Sequence, residues 1–140
     1  MDQLRASFKL TPQKKILHPK GDIFHVMKRS DDGFEGFGEA YFTTILFDEI
    51  KGWKCHTLMH MNLIVPIGEV CFYLHNKDLN KTSKVNLGES DYSRLTIPPG
   101  IWVAFKGLGA HKNLILNLAS IEHDPTEAMN VPLESFELEK

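Results

Sequence analysis

The chain carries only two cysteines, Cys55 and Cys71, in 140 residues. That count excludes a disulfide framework and fits a reducing compartment. An excess of positive charge is also missing, because 16 Lys and Arg stand against 18 Asp and Glu for a net −2. A surface of that kind offers no hold on a phosphate backbone, so nucleic acid is not an expected partner. No apolar run approaches the roughly 20 residues that a membrane span needs. The opening "MDQLRASFKL" lacks the apolar segment and small-residue cleavage site of a secretory leader. Together these absences predict a cytoplasmic protein that does not meet the membrane. Common catalytic signatures are absent too: there is no G-x-S-x-G elbow, and "GFEGFG" has no helix after it to make a phosphate loop. No segment keeps a helical period beyond about two turns, with the tail after Asp124-Pro125 as the one candidate.

Short β-like segments fill the space that these absences leave. "GDIFHVMK" (21–28), "EAYFTTILF" (39–47), "EVCFYLHN" (69–76), "YSRLTIPPG" (92–100), "IWVAFKG" (101–107) and "NLILNLAS" (113–120) are rich in β-branched and aromatic residues. "IKGWKCHTLMHMNLIVPIG" reads as one long strand or two shorter ones, and "RSDDGFEGFG" and "KDLNKTSK" as loops. Pieces of this length, spaced by Gly and Pro, predict an all-β sandwich or barrel. At 140 residues, one domain spanning 1–140 is expected.

The densest chemistry lies in "IKGWKCHTLMH" (50–60). A metal site needs three or four convergent donors. On an extended strand His56 and His60 would share a face but lie about 13 Å apart, too far to hold one ion. Strand parity turns Cys55 away from His56, which excludes a thiol–imidazole dyad between these neighbours. Proton transfer is the remaining chemistry. A histidine is suited to act as a general base at neutral pH, and Lys51 or Lys54 could hold an anion or stabilise an enolate. Tyr41, Tyr73, His75 and Asn117, on other predicted strands, could supply hydrogen bonds or an acid. Aromatic residues such as Trp53, Tyr41, Phe72 and Trp102 could pack a sugar or a base, and each could equally be core.

The order "GEAYFTTI", "IKGWKCH", "PIGEVCFYL", "LTIPPGIWVAF" and "LILNLASIEHDPTE" resembles the dTDP-4-dehydrorhamnose 3,5-epimerase family, over about residues 20–130. "KGWKCH" and "LNLAS" are also similar to segments of the related nucleotide-sugar 3,4-ketoisomerases. The resemblance implies a cupin fold, that is, a jelly-roll antiparallel β-barrel with short terminal extensions, usually as a homodimer. It implies a metal-independent, cofactor-free epimerase or isomerase acting on a dTDP-4-keto-6-deoxyhexose type of nucleotide sugar, in bacterial cell-surface polysaccharide biosynthesis. Against the metal-binding cupin pattern, with Gly68 as its last glycine, Lys54, Met61 and Val103 occupy three of the four ligand positions, which leaves His56 alone. Against the epimerase pattern, Lys54 stands at the base position, Asn117 at the acid tyrosine and Lys51 at a substrate-binding arginine. Against the ketoisomerase pattern, His56 matches the second histidine. The expected catalytic set is therefore His56, Lys54 and Asn117, with Lys51, Trp53, His60, Tyr41, Tyr73 and Trp102 binding substrate and no metal. The alternative left open is a non-catalytic cupin that binds a sugar or nucleotide sugar and has lost the acid/base pair.

Overall fold

In β11 (Asn113–Ala119), every second residue is buried: Asn113, Ile115, Asn117 and Ala119. The intervening leucines, 114, 116 and 118, are half-buried. This period of two puts one face of the strand into a core and the other outward. The structure, a computed structural model, describes residues 7–138. The segment on which the lack of a leader was read therefore lies partly outside the described residues.

Among the described residues, twelve strands carry almost all of the order. They are β1 (Lys9–Pro12), β2 (Lys15–Ile16), β3 (Ile23–Phe24), β4 (Glu39–Ile45), β5 (Ile50–His56), β6 (Met61–Ile67), β7 (Glu69–Asn76), β8 (Lys81–Gly88), β9 (Ser93–Ile97), β10 (Trp102–Gly107), β11 and β12 (Ala128–Asn130). Sheet one has the order β1-β9-β6-β11-β4, and sheet two the order β12-β5-β10-β7-β8. All of these pairings are antiparallel. The all-β expectation and the jelly-roll arrangement are what the structure shows. Barrel closure is not: the two ladders stay separate, apart from an isolated bridge between Phe47 and Gly107. Side chains packed between the sheets close the structure instead.

Leu63, Val65, Phe72, Leu74, Leu95 and Ile115 form part of that inter-sheet core. A second cluster, Trp53, Cys55, Cys71, Tyr73, Trp102 and Ala104, packs against Val131, Leu133 and Phe136 of the C-terminal tail. The tail after Asp124-Pro125 is thus no long helix. It forms β12 and a single 3-10 turn at Leu133–Ser135, because its apolar side chains are used to cover sheet two. The expected strand over 21–28 shrinks to β3, paired with β2. The "IKGWKCHTLMHMNLIVPIG" segment is two strands, and the break at 57–60 carries the chain from sheet two to sheet one. Gly68 makes the next crossing, with φ +83 and no room for a Cβ beside the Lys112 carbonyl. No helix among the described residues is long and apolar enough to cross a membrane.

Arg94 of β9 fastens the N-terminal arm to sheet one. It is 1% exposed, and its guanidinium donates to the Val26 carbonyl at 2.9 Å and the Asp32 carbonyl at 3.0 Å. Arg94→Met keeps the stem and leaves both carbonyls without their donor. It is expected to lower stability by about 1.5–3 kcal/mol, the range for hydrogen bonds to a charged group, read as a shift in the denaturant midpoint.

Candidate active site

A cavity of about 360 Å3 lies between the sheets, walled by β5, β7 and β10 on one side and by β4, β6 and β11 on the other. Its β5 wall depends on a local irregularity. Val103 of β10 stands opposite Lys54, but the next residue, Ala104, stands opposite Gly52, so Trp53 has no partner in that ladder. Such a bulge shifts the parity of one strand by one residue. Simple alternation would turn Lys51 outward with Trp53 and Cys55. The bulge instead brings Lys51, Lys54 and His56 to the cavity together. Gly52 is required at this point: its φ is +157, and a Cβ there would collide with Ala104. Lys51 reaches across to sheet one, where its Nζ donates to the Thr44 carbonyl at 3.1 Å.

His56 is the best-defined group in the site. It is buried at the end of β5, and its Nδ1 lies 2.7 Å from Oε1 of Glu127. Glu127 is itself only 4% exposed. Its second oxygen accepts the backbone N–H groups of Leu58 at 2.8 Å and Met59 at 2.9 Å. Burial alone would raise the pKa of this carboxyl group. The His56 hydrogen bond and the two N–H donors outweigh that effect and hold the group at about 2. An ionised carboxylate only accepts hydrogen bonds, so Nδ1 of His56 must be the donor. In the neutral imidazole, Nε2 is then left as the basic nitrogen, on a ring that lines the cavity.

The C-terminal segment delivers Glu127 to this place. Asp124 accepts the Thr126 N–H and hydroxyl at 2.9 and 2.7 Å, and those bonds keep its carboxyl group below the usual range. The Glu127 N–H then donates to the Asp124 carbonyl, and β12 runs beside β5 with Ala128 opposite His56. Farther along, the Trp53 indole N–H donates to the Leu133 carbonyl at 2.9 Å, and Phe136 packs edge-on against the same ring.

On the opposite wall, Asn117 of β11 and Tyr41 of β4 are register partners. The Asn117 amide donates to the Tyr41 hydroxyl at 3.0 Å. Of the expected catalytic residues, His56, Lys54 and Asn117 all line the cavity, as do Lys51, Trp53 and Tyr41 from the expected binding set. The Trp53 ring is fully buried beneath the tail, so its share of the wall is small. Tyr73 and Trp102 lie in the outer cluster against the tail, and His75 stacks on Phe136 with centroids 4.0 Å apart. His60 lies in the break between β5 and β6, bonded through its backbone to Ser120, away from the cavity. Glu127 and Asn130 are additions that sequence reading did not supply. The Asp-Pro-Thr-Glu turn was the available signal for Glu127. Among the described residues, no three His, Cys, Asp or Glu side chains are placed to share a metal ion.

A jelly-roll sandwich with a carboxylate-oriented histidine in its inter-sheet cavity defines a cupin with the apparatus for proton transfer. The particular relatives come from solved structures, since no protein-family model and no curated protein matches the chain. It is similar to a dTDP sugar isomerase from Desulfovibrio desulfuricans at 28% identity and a TM-score of 0.87, over 91% of this chain and 85% of that one. A sugar 3,4-ketoisomerase from Thermoanaerobacterium thermosaccharolyticum, solved with TDP, matches at 24% identity and a TM-score of 0.75, over 87% and 86%. The fold is also that of a dTDP-4-dehydrorhamnose 3,5-epimerase from Sulfolobus tokodaii, at 15% identity and a TM-score of 0.77, over 93% and 80%. The resemblance read from the order of sequence motifs and the likeness in structure point to the same group of enzymes.

Proposed function

We propose that the protein is a nucleotide-sugar isomerase or epimerase that moves a proton beside the ketone of a dTDP-4-keto-6-deoxyhexose. The observation that carries this reading is the His56–Glu127 pair, which presents an oriented imidazole to the cavity. Nε2 of His56 removes the proton from C3. The electron pair left behind forms the C3–C4 double bond, and the carbonyl electrons move onto O4 as an enediolate. Lys54, Lys51 or the Tyr41 hydroxyl stabilises that oxygen. Returning the proton to C4, with transfer of the O3 proton to O4, gives the 3-keto isomer. Returning it to the other face of C3 gives the epimer.

Isomerisation is the favoured outcome, because it can be done by one base on one face of the sugar. Among the described residues lining the cavity, His56 is the only imidazole or carboxylate. The same pair argues against the non-catalytic alternative, since a passive sugar pocket has no use for a buried carboxylate holding a histidine tautomer. The reading extends to a cytoplasmic homodimer serving bacterial cell-surface polysaccharide synthesis. Phe42, Leu46 and Phe47, exposed along and just beyond the β4 edge, support a self-association surface.

The test is product identity. Incubation with dTDP-4-keto-6-deoxyglucose, followed by NMR, is expected to show the 3-keto isomer. A C3 epimer would exclude isomerisation while keeping proton transfer, and unchanged substrate would contradict the proposal.

A further inference from the structure

Phe136, near the end of the described residues, sits among three rings of sheet two. Its ring stacks on His75 with centroids 4.0 Å apart, meets Trp53 edge-on at 5.3 Å and lies tilted on Trp102 at 5.6 Å. The backbone before it is tied to the same strand. Val131 and Trp53 exchange two backbone hydrogen bonds of 3.2 Å, and the Trp53 indole donates to the Leu133 carbonyl at 2.9 Å. The inter-sheet core, among the described residues, draws nothing from beyond Ile121. The tail is therefore fastened to the outside of sheet two, through an aromatic cluster of its own.

What this fastening holds is Glu127. The link between Glu127 and the tail is β12, an edge strand of three residues that pairs with β5 alone. Its own side chains give little adhesion: Ala128 is half-buried, Met129 is 47% exposed and Asn130 is exposed. A ladder this short is not stable in water unless apolar groups pack it down. Those groups come after it, at Val131, Leu133, Phe136 and Leu138. The bonds from Glu127 to His56, Leu58 and Met59 replace bonds that water would make to the same groups. They aim the carboxylate more than they hold the strand. The same segment clamps the β5 bulge, since Trp53 has no partner in the β10 ladder and bonds to Val131 instead.

Resting on the proton-transfer reading above, we infer that Phe136 is a positioning residue: seated on Trp53, His75 and Trp102, it latches the tail that keeps Glu127 on Nδ1 of His56. When the latch opens, the two sheets stay packed through their own core, because a local opening breaks only the contacts of the segment that opens. Glu127 then withdraws from the ring, and Nδ1 has no fixed acceptor. The proton of the neutral imidazole distributes over both nitrogens. A ring with Nε2 protonated is no base towards the cavity. Phe136 thus governs His56 without lining the cavity itself.

Phe136→Ala is the test, and two of its three readouts need no substrate. Trp53 and Trp102 are the only tryptophans of the chain, and both touch Phe136. Release of the tail wets them and shifts their fluorescence emission to the red. The nitrogen NMR shifts of the His56 ring, recorded at mildly alkaline pH where an imidazole is neutral, should show the Nδ1–H form in the wild type. In Phe136→Ala they should show a mixture of both tautomers. Turnover of dTDP-4-keto-6-deoxyglucose should fall by about 10²-fold in kcat, the scale of a misplacement made far from the chemistry. Phe136→Leu, which keeps an apolar side chain in the seat, should restore most of the emission, the tautomer and the rate. A red shift with the Nδ1–H form intact would overturn the inference, and so would no change in any readout. If Phe136→Ala does not fold, Leu133→Ala is judged by the same outcomes, and loss of the whole fold in both would make the tail part of the core and overturn the latch. A wild type that turns over no sugar, but whose tautomer responds as described, would remove the proposed function and leave the positioning of His56 by the tail standing.

Discussion

Replacing His56 by asparagine is expected to lower turnover of a 4-keto nucleotide sugar by about 10²–10⁴-fold, the range for a lost general base. Asparagine is the informative substitute because its amide can still donate to Glu127, standing in for Nδ1 of the ring. The variant then lacks only the basic nitrogen. Substrate affinity should change little, since Lys51, Lys54, Tyr41 and Asn117 remain on the cavity walls. Steady-state kinetics would separate the two effects: kcat falls and KM holds. A fall in affinity with kcat preserved would mean that the imidazole binds substrate without taking a proton.

Glu127→Gln is expected to cost about 10²-fold or more in kcat, although the side chain touches no substrate in this account. The carboxylate accepts from three donors: the His56 ring and the Leu58 and Met59 backbone. A glutamine has one acceptor oxygen and one NH2 group, so one side of it must face a donor. If the NH2 turns to the backbone, two N–H groups lose their acceptor. If it turns to His56, Nδ1 becomes the acceptor and Nε2 carries the proton, which removes the base. Folding at neutral pH combined with slow turnover distinguishes this positioning role from a merely structural one, and a pH series checks the state of the carboxyl group. The Glu127 carboxyl is held at about 2, below its ordinary 4.5, so its contribution to stability is complete above about 4.5 and is lost as pH falls towards 2. The wild type should therefore lose stability through that window more steeply than Glu127→Gln. At neutral pH the variant should remain folded and still be slow.

The fold was legible because the strand signals are local. Apolar and β-branched runs between Gly and Pro breaks marked nearly every long strand, and β11 alternates cleanly. The cavity was legible in part: His56, Lys54, Lys51, Tyr41 and Asn117 were all found from strand parity and the order of motifs. What sequence did not show has physical causes. Tyr73 and Trp102 lie on the outer face of sheet two, which the C-terminal tail covers. A sheet buried on both faces shows no alternation to separate inward from outward. The bulge at Trp53 is invisible to a period-two reading, although it is what turns Lys51 inward. Glu127 meets His56 across a separation of 71 residues, and a local pattern does not carry such a contact.

If His56 removes the proton from the carbon beside the sugar ketone, deuterium from the solvent washes in at that carbon. With dTDP-4-keto-6-deoxyglucose in heavy water, the wild-type protein should exchange the C3 proton for deuterium, and His56→Asn should not. Binding of that sugar without any exchange, or exchange that survives in His56→Asn, would show that His56 is not the base.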